Sequence, residues 1–211
     1  MSSTPPVTNA VKTVKARGPD WWLMAKKFFT KGSKIASFAP SSRRLCNKML
    51  SGIDFDTANV IVELGAGTGP VTKLLLERIK PHTQLLVIEI EPEFCARLRQ
   101  RFPTANIVEG DASKLDQLLA ERGITKVDHI VSGLPLPSFP EALRRSVLGT
   151  AMKMLGGDGT FRQLTVMPWV YKRLYKRYFT EVKFKLEPLN LPPAGVYLCK
   201  GYKGDELSAG E

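Results

Sequence analysis

Apolar residues recur along this chain in two alternating rhythms. Short runs rich in β-branched and leucine side chains lie at Val60 to Leu64, Gln84 to Glu91, Ala105 to Ala112, Lys126 to Ser132 and Thr160 to Met167. Runs of this length and character predict strands buried in a sheet. Between them the spacing changes to a helical one. Val71, Leu74, Leu75 and Ile79 mark one helix, Pro92 to about Arg101 a second, Glu141 to about Leu155 a third and Trp169 to Phe179 a fourth. Two last apolar runs, Val182 to Leu186 and Gly195 to Lys200, follow each other directly and predict a hairpin. Strand and helix in alternation, closed by two adjacent strands, predict an α/β fold: a doubly wound, mostly parallel sheet of seven strands with an antiparallel strand at one end.

The first fifty residues follow a different pattern. Residues 1–18 contain Pro5, Pro6 and Gly18 with few apolar side chains and predict a flexible basic lead-in. Asp20 is a plausible helix cap. Behind it Trp21, Trp22, Met24, Ala25, Phe28 and Phe29 interleave with Lys26, Lys27, Lys31 and Lys34. Aromatics toward one side and lysines toward the other suit a helix lying in the headgroup layer of a membrane, where tryptophan is favoured. The same aromatics would also suit packing onto the domain, as amphipathic helices usually do. Both hold together if the helix caps the site and touches the bilayer. Gly32 breaks this stretch. After Pro40, either Ser41 or Ser42 is placed to cap a second helix with Leu45, Met49 and Leu50 facing the core. The organisation expected is a lead-in (1–18), amphipathic helices (19–51), a Rossmann-like domain (52–203) and a polar tail (204–211).

Charge sharpens this division. The 211 residues carry a net +11, with ten Lys/Arg against one acid in residues 1–50, twelve against fourteen in 51–159 and nine against five in 160–211. The basic excess thus lies outside the central domain and predicts an acidic partner, either an anionic membrane surface or nucleic acid. The three cysteines, Cys46, Cys95 and Cys199, are too dispersed for a disulfide framework or zinc spacing, so no metal is expected and a reducing cytoplasm fits. The polar start has no signal-peptide core, and no run approaches the roughly 20 apolar residues of a membrane span.

The candidate chemistry begins at Glu63-Leu-Gly-Ala-Gly-Thr-Gly-Pro70. Gly65, Gly67 and Gly69 allow a tight turn and close backbone approach to a ligand at the carboxyl end of a strand. The spacing is neither the dinucleotide fingerprint nor a P-loop, and Glu63 suits a cationic ligand better than a pyrophosphate. Glu89, about 20 residues past the glycines, stands where nucleotide folds place a carboxylate on ribose hydroxyls. Gly110-Asp111-Ala112 ends the third strand, and by itself Asp111 would serve equally as a helix cap.

The pattern Glu-Leu-Gly-x-Gly-x-Gly resembles motif I of class I S-adenosylmethionine-dependent methyltransferases. The resemblance implies that fold, with S-adenosylmethionine as cofactor and S-adenosylhomocysteine as product. It implies a cofactor site of Glu63, Gly65, Ala66, Gly67, Thr68, Glu89, Ile90, Gly110, Asp111, Ala112, Ser132 and Gly133. In it Glu63 lies near the positive methionine part, and Asp111 and Ala112 meet adenine. Phe38 and Ser41 belong to an element before motif I that often closes over the cofactor in this class.

The methyl acceptor is to be read after the fourth strand, at Gly133-Leu134-Pro135-Leu136. The rRNA adenine dimethyltransferases, similar over Val60 to Ala112, place an amide and an aromatic ring at Gly133 and Leu136. Both are absent here, and base methylation needs such a pocket, which weighs against a nucleic-acid partner. The chain from about Trp22 to Tyr202 resembles instead the bacterial phospholipid N-methyltransferases, through Pro40-Ser41-Ser42, motif I, Ser132-Gly-Leu-Pro-Leu136 and Asn190-Leu-Pro-Pro-Ala194. That resemblance implies successive methylation of a phospholipid substrate, phosphatidylethanolamine, to phosphatidylcholine by an enzyme peripheral on the cytoplasmic face of the cell membrane. An rRNA adenine or other amine methyltransferase is the alternative. Leu134 and Pro135 are expected to position the acceptor. The base is left open among His129, Glu141, Tyr197 and water, although His129, within a strand, suits packing better. Trp21, Trp22, Lys26, Lys27 and Phe28 are expected at the membrane, and Arg162, Arg177 or Lys200 at the lipid phosphate.

Overall fold

The computed structural model describes residues 42–155, 158–166, 171–190 and 192–203. The lead-in, Trp21, Trp22, Lys26, Lys27, Phe28, Phe38, Ser41 and the tail from 204 lie outside the described residues. Helix α1 (Arg43–Leu50) is capped by Ser42, whose Oγ accepts the Leu45 N–H at 3.2 Å. Leu45, Met49 and Leu50 form its buried stripe, as their spacing predicts. The order then runs β1 (Val60–Leu64), α2 (Pro70–Leu76), β2 (Gln84–Glu89), α3 (Pro92–Arg101), β3 (Asn106–Glu109), α4 (Leu115–Ala120), β4 (His129–Ser132), α5 (Glu141–Leu155), β5 (Thr160–Thr165), α6 (Lys172–Tyr178), β6 (Phe179–Glu187) and β7 (Ala194–Tyr202).

The seven strands form one sheet in the order β3-β2-β1-β4-β5-β7-β6. β1 to β5 are parallel, while β7 pairs antiparallel with both β5 and β6. The expected hairpin is therefore present, with β7 inserted between β5 and β6. Because β1 pairs with β2 on one side and β4 on the other, chain order reverses there. In open α/β sheets such a switch point leaves a crevice beyond the carboxyl ends of the strands.

Two apolar layers cover the sheet. One face, with Leu64, Ile88 and Phe161, packs against Leu115, Leu119, Leu148, Met152 and Tyr175. The other, with Ile61, Val87 and Val131, packs against Leu45, Met49, Leu74, Leu75 and Leu98. Strands buried on both faces need near-continuous apolar sequence, which is why their runs stand out. Asp128 fixes the start of β1 by accepting the N–H groups of Asn59 (2.7 Å) and Val60 (2.9 Å). Among the described residues no helix is long and apolar enough to cross a membrane.

Candidate functional site

The ends of β1 and β4 flank the switch point, with β2 and then β3 beyond β1. The ladder continues one residue into the loops: Gly65 N–H donates to the Ile88 carbonyl (2.8 Å), Gly133 N–H to Leu64 (2.8 Å) and Gly110 N–H to Glu89 (3.0 Å). The loops after β1, β3 and β4 thus leave the sheet at the same edge.

The loops after β1 and β4 are in contact. Gly65 has φ +70°, and a Cβ there would lie 2.6 Å from Leu134 Cδ2. At Gly133 a Cβ would stand 2.7 Å from the Gly65 carbonyl oxygen. The second clash is with backbone and has no rotamer to relieve it. We expect Gly133→Ala to lower cofactor affinity at least tenfold, and more than Gly65→Ala, in isothermal titration; unchanged affinity in Gly133→Ala would show that the two loops need not touch.

Leu134 is held at both ends of its own residue. Its N–H donates to Ser132 Oγ (3.3 Å), and its carbonyl accepts from Gln163 Nε2 (2.7 Å). Gln163 on β5 is register partner of Ser132. Sequence reading missed it, although a glutamine inside a run with no exposed face must find polar partners.

The acids arrange as follows. Glu89 Oε2 accepts Gly67 N–H at 2.9 Å, and Oε1 accepts Ile90 N–H (2.8 Å) and Glu91 N–H (3.0 Å). A carboxylate has about four lone-pair positions, so room remains for a ligand hydroxyl. Burial raises the Glu89 pKa, against the lowering effect of these backbone donors. Glu63, fully enclosed, accepts from Thr72 Oγ1 at 2.7 Å. Burial pushes its pKa up to about 8, Thr72 opposing and the Glu89 charge adding. Asp111 Oδ1 accepts Ser113 N–H at 2.8 Å and caps the turn Ala112–Lys114, so the cap reading of this residue holds. Two buried acids beside the glycine turn suit a ligand that is cationic and carries hydroxyls. The open space around a Cβ placed on Gly67 leaves room for it at the loop tip.

Other expected residues lie elsewhere. Arg162, expected at a lipid phosphate, is buried (3% exposed) beneath α1. Its Nη1 donates to the Met49 (3.1 Å) and Ser51 (2.7 Å) carbonyls, and its Nε to Thr160 Oγ1 (3.2 Å). His129 opens β4 at the amino edge, away from the loops, with Nδ1 2.7 Å from Thr160 Oγ1. Burial first and Arg162 second bring its pKa down to about 4. Tyr197 lies buried in β7 against Tyr175 and Phe184. Glu141 pairs with Arg145 in the first turn of α5. Lys200 pairs across from Thr160 at the amino edge, and Arg177 is exposed on α6. Asn190 connects to α1: its Oδ1 accepts the Ser42 N–H at 3.2 Å.

Residues 61–159 match the family described as a methyltransferase domain. An ornithine lipid N-methyltransferase from Singulisphaera acidiphila is 48% identical over 187 residues, spanning 87% of this chain and 97% of that protein. A ribosomal RNA small subunit methyltransferase A from Acidobacterium capsulatum is 32% identical over 105 residues, which is 48% of this chain and 36% of that one. Among solved structures, a Burkholderia thailandensis 1,6-didemethyltoxoflavin-N1-methyltransferase with bound S-adenosylhomocysteine superposes with a TM-score of 0.63 at 16% identity, over 94% of both chains. The fold and the S-adenosylmethionine cofactor implied by motif I are thereby established.

Proposed function

The chain belongs to the S-adenosylmethionine-dependent methyltransferases, in the family of the Singulisphaera lipid N-methyltransferase, and from that premise we propose that it methylates the free amine of a membrane aminolipid, successively where N–H bonds remain. The observation carrying this reading is the 48% identity that extends across 97% of the relative. Ornithine lipid is accordingly the leading head group. Phosphatidylethanolamine, carried to phosphatidylcholine through its mono- and dimethyl forms, is the second reading, favoured by Ser132-Gly-Leu-Pro-Leu136. Incubation of the full chain with both lipids in separate vesicles, followed by mass spectrometry, distinguishes them. Mass gains of one or more methyl groups confined to ornithine lipid would remove the second reading. Omitting anionic lipid from the vesicles tests the basic surface as well: equal rates with and without it would remove the proposed electrostatic docking at the cytoplasmic face.

Bound S-adenosylmethionine supplies a methyl already activated on a sulfonium. The residues hold and shield it. Glu89 takes the ribose hydroxyls, Asp111 and the Ala112 backbone the adenine edge, and Glu63 lies toward the positive methionine end. Leu134, Pro135 and Leu136 give an apolar mouth in which a nitrogen can gain methyl groups without losing a polar contact. With the methyl activated, alignment is the main contribution required of the protein. The amine must arrive deprotonated, its proton passing to water.

Glu63 makes a pH prediction. A glutamate in an unfolded chain titrates near 4.3, and here the folded value is raised to about 8. The folded apoprotein therefore binds more protons between those values, and the stability Glu63 contributes is lost as pH rises through that window. A cationic ligand nearby favours the ionised form, so cofactor affinity should rise several-fold from pH 6 to about 8. Glu63→Gln should flatten both trends. Parallel pH profiles for wild type and variant would remove Glu63 from the cofactor site.

A further inference from the structure

Three buried side-chain polar atoms lack a hydrogen-bond partner among the described residues: Gln163 Oε1, Arg144 Nε and Tyr175 Oη. They belong to side chains gathered on one side of the sheet around the loop after β4. Gln163 is bonded to Leu134 of that loop, and Arg144 Nη1 donates to the carbonyl of Phe139 at its far end (3.3 Å). Tyr175 packs 4.8 Å from Tyr197, which is Gln163's register partner on β7. Buried polar groups are nearly always satisfied, so three orphans at one corner need an explanation.

The orientation of the Gln163 amide is fixed by its neighbours. Nε2 contacts two backbone carbonyls, Leu134 at 2.7 Å and Leu164 at 2.8 Å, and only a donor suits both. The carbonyl oxygen is consequently a buried acceptor with no partner among the described residues, on a strand whose register partner Ser132 precedes the loop that abuts the glycine turn. The ligand this oxygen suits is an N–H group.

Resting on the aminolipid reading above, we propose that Gln163 Oε1 accepts an N–H of the acceptor amine and turns the nitrogen lone pair toward the methyl. The lone pair forms the new N–C bond as the S–C bond breaks, and the bonding pair of that S–C bond stays on sulfur, which becomes a thioether. The nitrogen becomes positive, so its remaining N–H bonds more strongly to Gln163 in the transition state than before it, which is the condition for a contact to raise rate. One N–H proton then leaves to water. A neutral primary amine offers two N–H groups, a monomethylamine one and a dimethylamine none. Gln163 therefore assists the first and second transfers and has nothing to accept in a third.

The test uses the full chain with saturating S-adenosylmethionine and three vesicle-borne lipids bearing the amine, the methylamine and the dimethylamine. For Gln163→Leu the expected result is a loss in kcat at least tenfold larger on the first two lipids than on the third. Releasing Leu134 would slow all three alike, so the ratio isolates the N–H contact. Equal losses on all three lipids, or no loss on the primary amine, overturn the assignment. Gln163→Met carries the same comparison should the leucine variant fold poorly. A wild type that methylates none of the three lipids would instead overturn the aminolipid reading itself.

Discussion

Replacing Glu89 by alanine should raise the S-adenosylmethionine dissociation constant on the order of 100-fold. A hydrogen bond to a charged acceptor contributes about 1.5–3 kcal/mol, and loss of the one open to the ribose, at the upper end of that range, amounts to about 3 kcal/mol, or roughly two decades in affinity. The carboxylate also organises the loop before any ligand arrives. Gly67, Ile90 and Glu91 all donate their N–H groups to it, so its removal unfastens the glycine loop as well. Glu89→Gln retains one acceptor but turns an NH2 toward a backbone N–H, and should fall between wild type and alanine. Asp111→Asn should cost less, about tenfold, because one of its oxygens is already committed to capping Ser113. Titration calorimetry on the three variants checks the order, and wild-type affinity in Glu89→Ala would exclude this carboxylate from the site.

Arg162→Ala should lower stability by about 3 kcal/mol and leave the KM for lipid unchanged. Its guanidinium closes the end of α1 through the Met49 and Ser51 carbonyls. Truncation leaves those acceptors buried, at about 1–3 kcal/mol each. Burial lowers its pKa only to about 10, so the group stays charged near neutrality. For a chain of this size the loss corresponds to roughly 10 °C in melting temperature. Lysine should rescue little, since it lacks the planar fork that reaches both carbonyls and Thr160. A variant with normal melting and a raised KM for the anionic head group would instead restore Arg162 to the lipid site.

Arg162 and Gln163 also show where sequence reading stops. The strands, the glycine turn and the acids at their ends were legible because burial on both faces leaves an unbroken apolar run, and because a glycine loop has few physical uses. The same principle, carried further, would have placed Arg162. A cation in the middle of such a run has no exposed face and must be paired inside the protein. Reading it as a surface cation took its charge into account and ignored its strand. Gln163 carries the same signal in a weaker form. α4 was missed although Leu115, Leu118 and Leu119 have helical spacing, because six residues give the periodicity too little length to register. That β7 lies between β5 and β6 follows from pairing across the sheet, which no local pattern encodes.

The contact between Asn190 and Ser42 gives the late Asn-Leu-Pro-Pro-Ala segment a structural meaning. β6 runs parallel to β5 and so ends at the carboxyl edge, where Asn190 receives the first residue of the α1 cap. The chain therefore enters the described domain on the same edge as the loops after β1 and β4. Asn190 Nδ2 also donates to the Pro192 carbonyl at 2.8 Å.

The central claim is that the methyl acceptor is a lipid amine, and transfer of labelled methyl from S-adenosylmethionine addresses it most directly. The full chain would be offered aminolipid vesicles and ribosomal RNA in one reaction, then separated by organic extraction. Label in the lipid phase, at the amine, is the predicted result. Label in RNA with none in lipid would contradict the account and make the basic N-terminal residues an RNA-binding arm.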